Sequence, residues 1–293
     1  MKHRFALLLV LALTLPPASA RPPAPARPAL WKLADADTTI WLFGTIHLLP
    51  KGLAWRDPAI DEAMGRSQSL TLETVLDQDP GRVARALMAL GRASGLPPLI
   101  ERVPPARRIG LRKLIAASGL SAEALQGMKS WAAAILLTGP SLAASNVDVS
   151  DGGVETELTR LFRAAGKPVG GLETPEQQLG YFDALPEAAQ RAFLAETVDD
   201  PARTRRDFET MLRAWSTGDV HAIERAFAED AEFTPALRTL LVARRDQLWA
   251  DALARRLEEP GTLFVAVGAG HLAGPESVQA MLAKKGLKVE RVQ

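Results

Sequence analysis

The sequence predicts an α/β protein: a central, mostly parallel sheet flanked by helices, with helical insertions forming a cap. Three observations carry this. Short apolar, β-branched runs near both ends of the chain stop at Gly or Glu, as buried strands do. Strand–helix–strand spacings follow each of those runs and call for parallel crossovers. Between them lie long stretches of helical patterning without a strand signal.

Taken in order, the chain begins with Lys2, His3 and Arg4, an apolar run from Phe5 to Leu15, and Ala18-Ser19-Ala20. That is the pattern of a cleaved export signal, residues 1–20, and it places the mature protein in the periplasm. An uncleaved anchor is the alternative, but the run is about half of the roughly 20 residues a bilayer span needs. Residues 21–29 read as a linker, because proline supports neither a helix interior nor a ladder. Residues 30–293 then form one α/β domain. Thr38 to Phe43 is a buried strand stopping at Gly44, and Asp57-Pro58 supplies an N-cap and a first-turn proline for a helix to about Arg66. Ser69 to Leu72 is the next strand, ended by Glu73. Residues 79–150 are helical and broken by Pro and Gly, which makes them an insertion. A helix from Val154 to Ala165 leads through Gly166-Lys167-Pro168 to a strand at Val169 to Leu172, ended by Glu173. A second helical block runs from Pro175 to about Glu258. The chain closes with a strand at Thr262 to Val267, a helix from Pro275 to about Lys284 and a strand at Leu287 to Val292.

With 47% hydrophobic and 24% charged side chains, the 293 residues can bury a full core. Lys plus Arg total 35 against 34 Asp plus Glu, a balance that gives no reason to expect nucleic acid as a partner. No stable membrane span is expected in the mature chain either. There is no cysteine, which excludes disulfides, Cys-ligated metals and thiol nucleophiles. No Gly-x-Ser-x-Gly elbow occurs, and Gly268, Gly270 and Gly274 miss the dinucleotide fingerprint by one position.

The chemistry concentrates at strand ends. Gly44-Thr45-Ile46-His47 and Gly268-Ala269-Gly270-His271 are both Gly-x-x-His, and each follows a predicted strand. Glycine frees the backbone to turn there and aim the imidazole across the carboxyl edge, where parallel sheets bind ligands. Glu73 and Glu173 end two further strands, and a carboxylate is costly to bury unless paired or bound to a cation. Two histidines and two glutamates so placed suit a hard divalent metal or general acid/base work. Each glutamate alternatively caps the helix that follows it. His221, after Gly218-Asp219-Val220 at a helix start, reads as ordinary surface.

The segments Trp41 to Pro50 and Val267 to Gly274, with Leu72-Glu73, Gly166 to Thr174, Gln178 and Arg245-Asp246, resemble the TraB/GumN family, which includes the Tiki proteases. The resemblance spans about Leu30 to Gln293. It implies an erythromycin-esterase-like or ChaN-like fold and a divalent-metal-dependent peptidase. His47 and His271 would be the motif histidines, Glu73 their acidic partner and Arg245 the motif arginine. The chain departs at Gly153-Val154-Glu155, where family members often carry Gly-x-Asp, which counts against Glu155 as a ligand but not against the fold.

On this reading a Mn, Co or Zn ion held by His47, His271 and Glu73 activates water against a peptide or small-molecule substrate. Glu173 or Glu155 orients that water, and Arg245 meets the oxyanion unless it pairs with Asp246 or another acid of its own helix. A rival from another class is a non-catalytic periplasmic protein that sequesters a peptide, a metal or an iron complex with the same residues.

Overall fold

The computed structural model describes residues 25–75, 80–144, 152–198, 200–229 and 235–293. The expected export signal at 1–20, positions 21–24, and the first residue and the end of the insertion at 79 and 145–150 lie outside the described residues.

The strand order of the single six-stranded sheet is β4-β3-β5-β2-β1-β6. It starts with an antiparallel hairpin of β1 (Leu30–Ala34) and β2 (Thr38–Thr45). The turn is tied by Asp35, whose Oδ1 accepts from the amides of Asp37 at 3.2 Å and Thr38 at 2.8 Å. The sequence gives no warning of β1: five residues beside a proline-rich stretch offer too little period to read. Within residues 25–29 of that stretch, Ala26 and Ala29 are buried and the amides of Ala26 and Arg27 donate to Ala54 and Ser216.

Helix α1 (Pro58–Arg66) follows, capped by Asp57, which accepts from the amides of Ala59 and Ile60 at 3.0 Å. After β3 (Ser69–Thr74) come α2 (Pro80–Gly91), α3 (Arg108–Ala117), α4 (Ala122–Gln126), α5 (Ser130–Ala144) and α6 (Val154–Ala164), then β4 (Val169–Glu173). The second helical block holds α7 (Pro175–Asp183), α8 (Glu187–Glu196), α9 (Pro201–Ser216), α10 (Val220–Glu229), α11 (Pro235–Arg238), a π-helical turn at Thr239–Ala243 and α12 (Arg244–Arg256). The chain ends with β5 (Gly261–Gly268), a 3-10 turn at Ala269–Leu272, α13 (Val278–Lys284) and β6 (Val289–Arg291). Strands β2, β5, β3 and β4 are parallel neighbours, and β1 alone runs against them.

The register explains why distant motifs meet. β5 lies between β2 and β3, with Thr45 opposite Gly268 and Leu72 opposite Ala266. Gly44, Glu73 and Gly268 therefore share the carboxyl edge. Both faces of the sheet are covered, so β2 from Ile40 to Phe43 and β5 from Leu263 to Val267 are unbroken apolar runs: Trp41, Phe43 and Phe264 pack against α1 and α6, while Ile40, Leu42 and Val265 pack against α12 and α13. A separate core joins α2, α3, α4 and α5 to α7 and α8 through Leu111, Trp131, Leu179 and Leu194. The helical insertion and the second block thus form one cap. Among the described residues no helix is long and apolar enough to cross a membrane.

Candidate functional site

His47 leaves the end of β2 and Glu73 the end of β3, and with Gly268, His271 and Arg245 they line a cavity of about 610 Å³ between the sheet edge and the cap. The motif glycines act by lacking a Cβ, not by unusual dihedrals; neither Gly44 nor Gly268 has a positive φ. A Cβ on Gly44 would lie 3.2 Å from Ala269 Cα, and one on Gly268 would lie 3.1 Å from Glu73 Oε1. The Gly268 amide uses that room to donate to Glu73 Oε1 at 2.7 Å. Gly153 is tighter still: a Cβ there would stand 2.5 Å from the His47 carbonyl oxygen, at the point where the Val154 amide bonds Ile46 O.

Arg245 is the centre of the cluster. Its Nε donates to Glu173 at 3.0 Å, Nη1 to Leu241 O and to His271 Nε2, both at 3.1 Å, and Nη2 to Glu73 Oε2 at 2.7 Å and Glu173 Oε2 at 2.9 Å. A guanidinium has five N–H groups, and here all five are used. The plane also lies 4.6 Å from the Trp249 ring, whose indole N–H donates to Glu173 Oε1. Glu173, buried behind Arg245, does not line the cavity; its acceptors hold the arginine and Trp249. Thr174, not Glu173, caps α7, through a reciprocal capping box with Gln177.

The two histidines differ. His271 is buried against Trp249, with Nδ1 at 2.6 Å from Asp246 Oδ1 and Nε2 facing Arg245. Since a guanidinium only donates, Nε2 is bare and the proton sits on Nδ1, pointing at Asp246. His47 instead projects into the cavity, with 73% of its side chain open to water there, and its Nδ1 lies 2.9 Å from Glu155 Oε1. Thr45 Oγ1 donates to the same Glu155 oxygen. The Glu155 hydrogen bond, helped by the charges of Glu155 and Glu73, raises the His47 pKa to about 9. Burial favours neutral Glu73, yet its electrostatic interactions with His271 and Arg245 and the Gly268 amide hold its pKa down, to about 2. Burial pushes Asp246 up to about 6.

His47, Glu73, His271 and Arg245 are thus brought together, and His221 lies on the surface, 82% of its side chain exposed. Sequence reasoning missed Asp246 as the partner of His271 and assigned Glu155 to a water, not to His47, its partner in the structure. A signal existed for the first: adjacent helix residues point in different directions, so Arg245 and Asp246 were never suited to pair with each other.

The divalent cation fits poorly. Two of the proposed ligands, Glu73 and His271, spend their inward lone pairs on Arg245, and Gln178 Nε2 donates to Glu73 Oε2 as well. Among the described residues no three His, Asp or Glu side chains are grouped to hold a metal ion. The positive charge at the centre of this cluster is the guanidinium.

The fold and cluster define a class: capped α/β proteins with a charged site at the carboxyl edge of the sheet. Within that class the chain belongs to the TraB/PrgY/gumN family, whose model matches residues 29–291. No curated protein and no solved structure matches it.

Proposed function

We propose that the protein is a hydrolase that cleaves an acyl bond, with His47 as the proton-transferring residue and Glu155 as the carboxylate that orients it. One observation carries this reading. In a site where the Arg245 N–H groups and both His271 nitrogens are committed, His47 Nε2 has no hydrogen-bond partner among the described residues and opens to the cavity. Neutral His47 takes a proton from water, the water oxygen adds to the acyl carbon, and the imidazolium, stabilised by Glu155, returns the proton to the leaving group. Arg245 has no spare N–H for an oxyanion; it holds Glu73, Glu173 and His271 in place and contributes its field. The peptidase activity implied by the family resemblance is one case of this chemistry, and no step here runs through a cation.

The test is turnover of amide and ester substrates by the mature protein and by His47→Ala and Glu155→Gln, with and without chelator. Chelator-resistant turnover that falls about 10²–10⁴-fold in the variants supports the reading. Binding with no turnover in any protein hands the site to the sequestering reading. Turnover that chelator abolishes and added Mn, Co or Zn restores returns the cation to the mechanism. The basic, apolar and Ala-x-Ala pattern of residues 1–20 supports placing this chemistry in the periplasm. Mass spectrometry of envelope protein checks it, the expected N-terminus being Arg21.

A further inference from the structure

We infer that the substrate, granted the hydrolase reading above, is an N-acyl amide whose hydrocarbon chain fills the cavity under the cap. The lining divides sharply. Its polar side chains all belong to the floor, at the sheet edge and in the Arg245 cluster, with Gln178 bonded to Glu73. Every other cap side chain facing the cavity is apolar, among them Ile135, Leu179, Phe182, Phe208, Met211 and Leu212. Phe208, Met211 and Leu212 recur at the three- and four-residue spacing of one face of α9, and Phe208 belongs to none of the packed cores.

That division selects the ligand. A polypeptide run under the cap would bury amides against helix faces whose own backbone groups are already paired, and each unsatisfied group is costly. A hydrocarbon chain has no such groups. At the floor two acceptors remain. Neutral His47, whose Nδ1–H faces Glu155, has a bare Nε2 to hold water, and Glu73, with three hydrogen bonds to its roughly four acceptor sites, keeps one free. A secondary amide presents its N–H to Glu73 and its acyl carbon to the water held by His47; an ester lacks the N–H. Water adds to the acyl carbon, the C–N bond breaks, and the proton carried by His47 goes to the amine nitrogen, giving a fatty acid and an amine.

The experiment uses N-methyl alkanamides with acyl chains of about four to about twelve carbons, measured by calorimetry for binding and by methylamine release for turnover. Each added methylene, at about 0.8 kcal/mol, should tighten binding about fourfold until the cavity is full. Met211→Trp, which fills part of the cavity, should move that plateau to shorter chains without loss of the folded circular-dichroism signal. Length-dependent binding with turnover that His47→Ala removes supports both readings. Length-dependent binding without turnover keeps the acyl-chain site and overturns the hydrolase. Turnover of short peptides or amides with no dependence on chain length keeps the hydrolase and overturns this inference. A plateau unmoved in a folded Met211→Trp also overturns it.

Discussion

The carboxylate of Asp246 lies 2.6 Å from His271 Nδ1, and this contact, opposed by Arg245 on the other nitrogen, fixes which tautomer the ring adopts. Replacing Asp246 with Asn offers the ring an amide that can donate to Nδ1. The flipped tautomer would then set an Nε2–H against the Arg245 N–H, and the arginine would lose a bond it needs. Asp246→Asn is expected to lower kcat/KM about 10²-fold or more while leaving acyl-chain binding within about twofold. Steady-state kinetics beside calorimetry reads the difference, and nitrogen NMR of His271 reports the tautomer.

Glu173 predicts a stability effect. Its carboxylate takes three N–H groups, two from Arg245 and one from Trp249, all away from water. Glu173→Ala leaves a buried guanidinium under-compensated, a loss of about 3–5 kcal/mol. Urea unfolding of the two proteins measures it. A change below about 1 kcal/mol would show that Glu73 alone holds the arginine.

The His47 pKa sets a pH profile. The group is raised from 6.5 to about 9 by its hydrogen bond with Glu155, so the imidazolium dominates at neutral pH. The neutral ring is the base, hence kcat/KM should climb with pH, reach half its maximum near 9 and level off above that. In Glu155→Gln the limb should move down toward 6.5. A rate that falls as pH rises through this range would make His47 a general acid in the free enzyme.

Gly153 tests how tightly His47 is placed. A Cβ there meets the His47 backbone at 2.5–2.6 Å, and backbone cannot swing aside as a long side chain can. Gly153→Ala should therefore cost activity about as heavily as His47→Ala and lower stability by about 1–3 kcal/mol. Gly65, inside α1 with no atom within 4 Å of an added Cβ and no positive φ, is the control. Gly65→Ala should stabilise by about 0.5–1 kcal/mol, as thermal unfolding would show.

Much of this was legible in the residues. Apolar runs that stop at Gly44, Glu73, Glu173 and Gly268 place the strand ends to within one residue, and a parallel sheet then forces those positions onto one edge. The partners of each histidine were not legible. Glu155 reaches His47 because Gly153 lets α6 start against the β2 loop, a close approach across more than a hundred residues that leaves no periodic trace. The role of Arg245 was half visible: its charge marked it for the site, but only geometry shows that its five donors are consumed by Glu73, Glu173, His271 and the Leu241 carbonyl.

The position of β5 bears on how the protein comes into being. The strand at the middle of the sheet is supplied by residues 261–268 of a 293-residue chain. β2 and β3 emerge early from the ribosome with a gap between them that nothing else in the sheet fills, and both wait with exposed apolar edges. Loop closure over that span is slow, so nascent chains depend on late, long-range pairing. A stop codon anywhere before β5 would yield an aggregation-prone fragment instead of a smaller working protein, and abundance in cells should be sensitive to holdase chaperones.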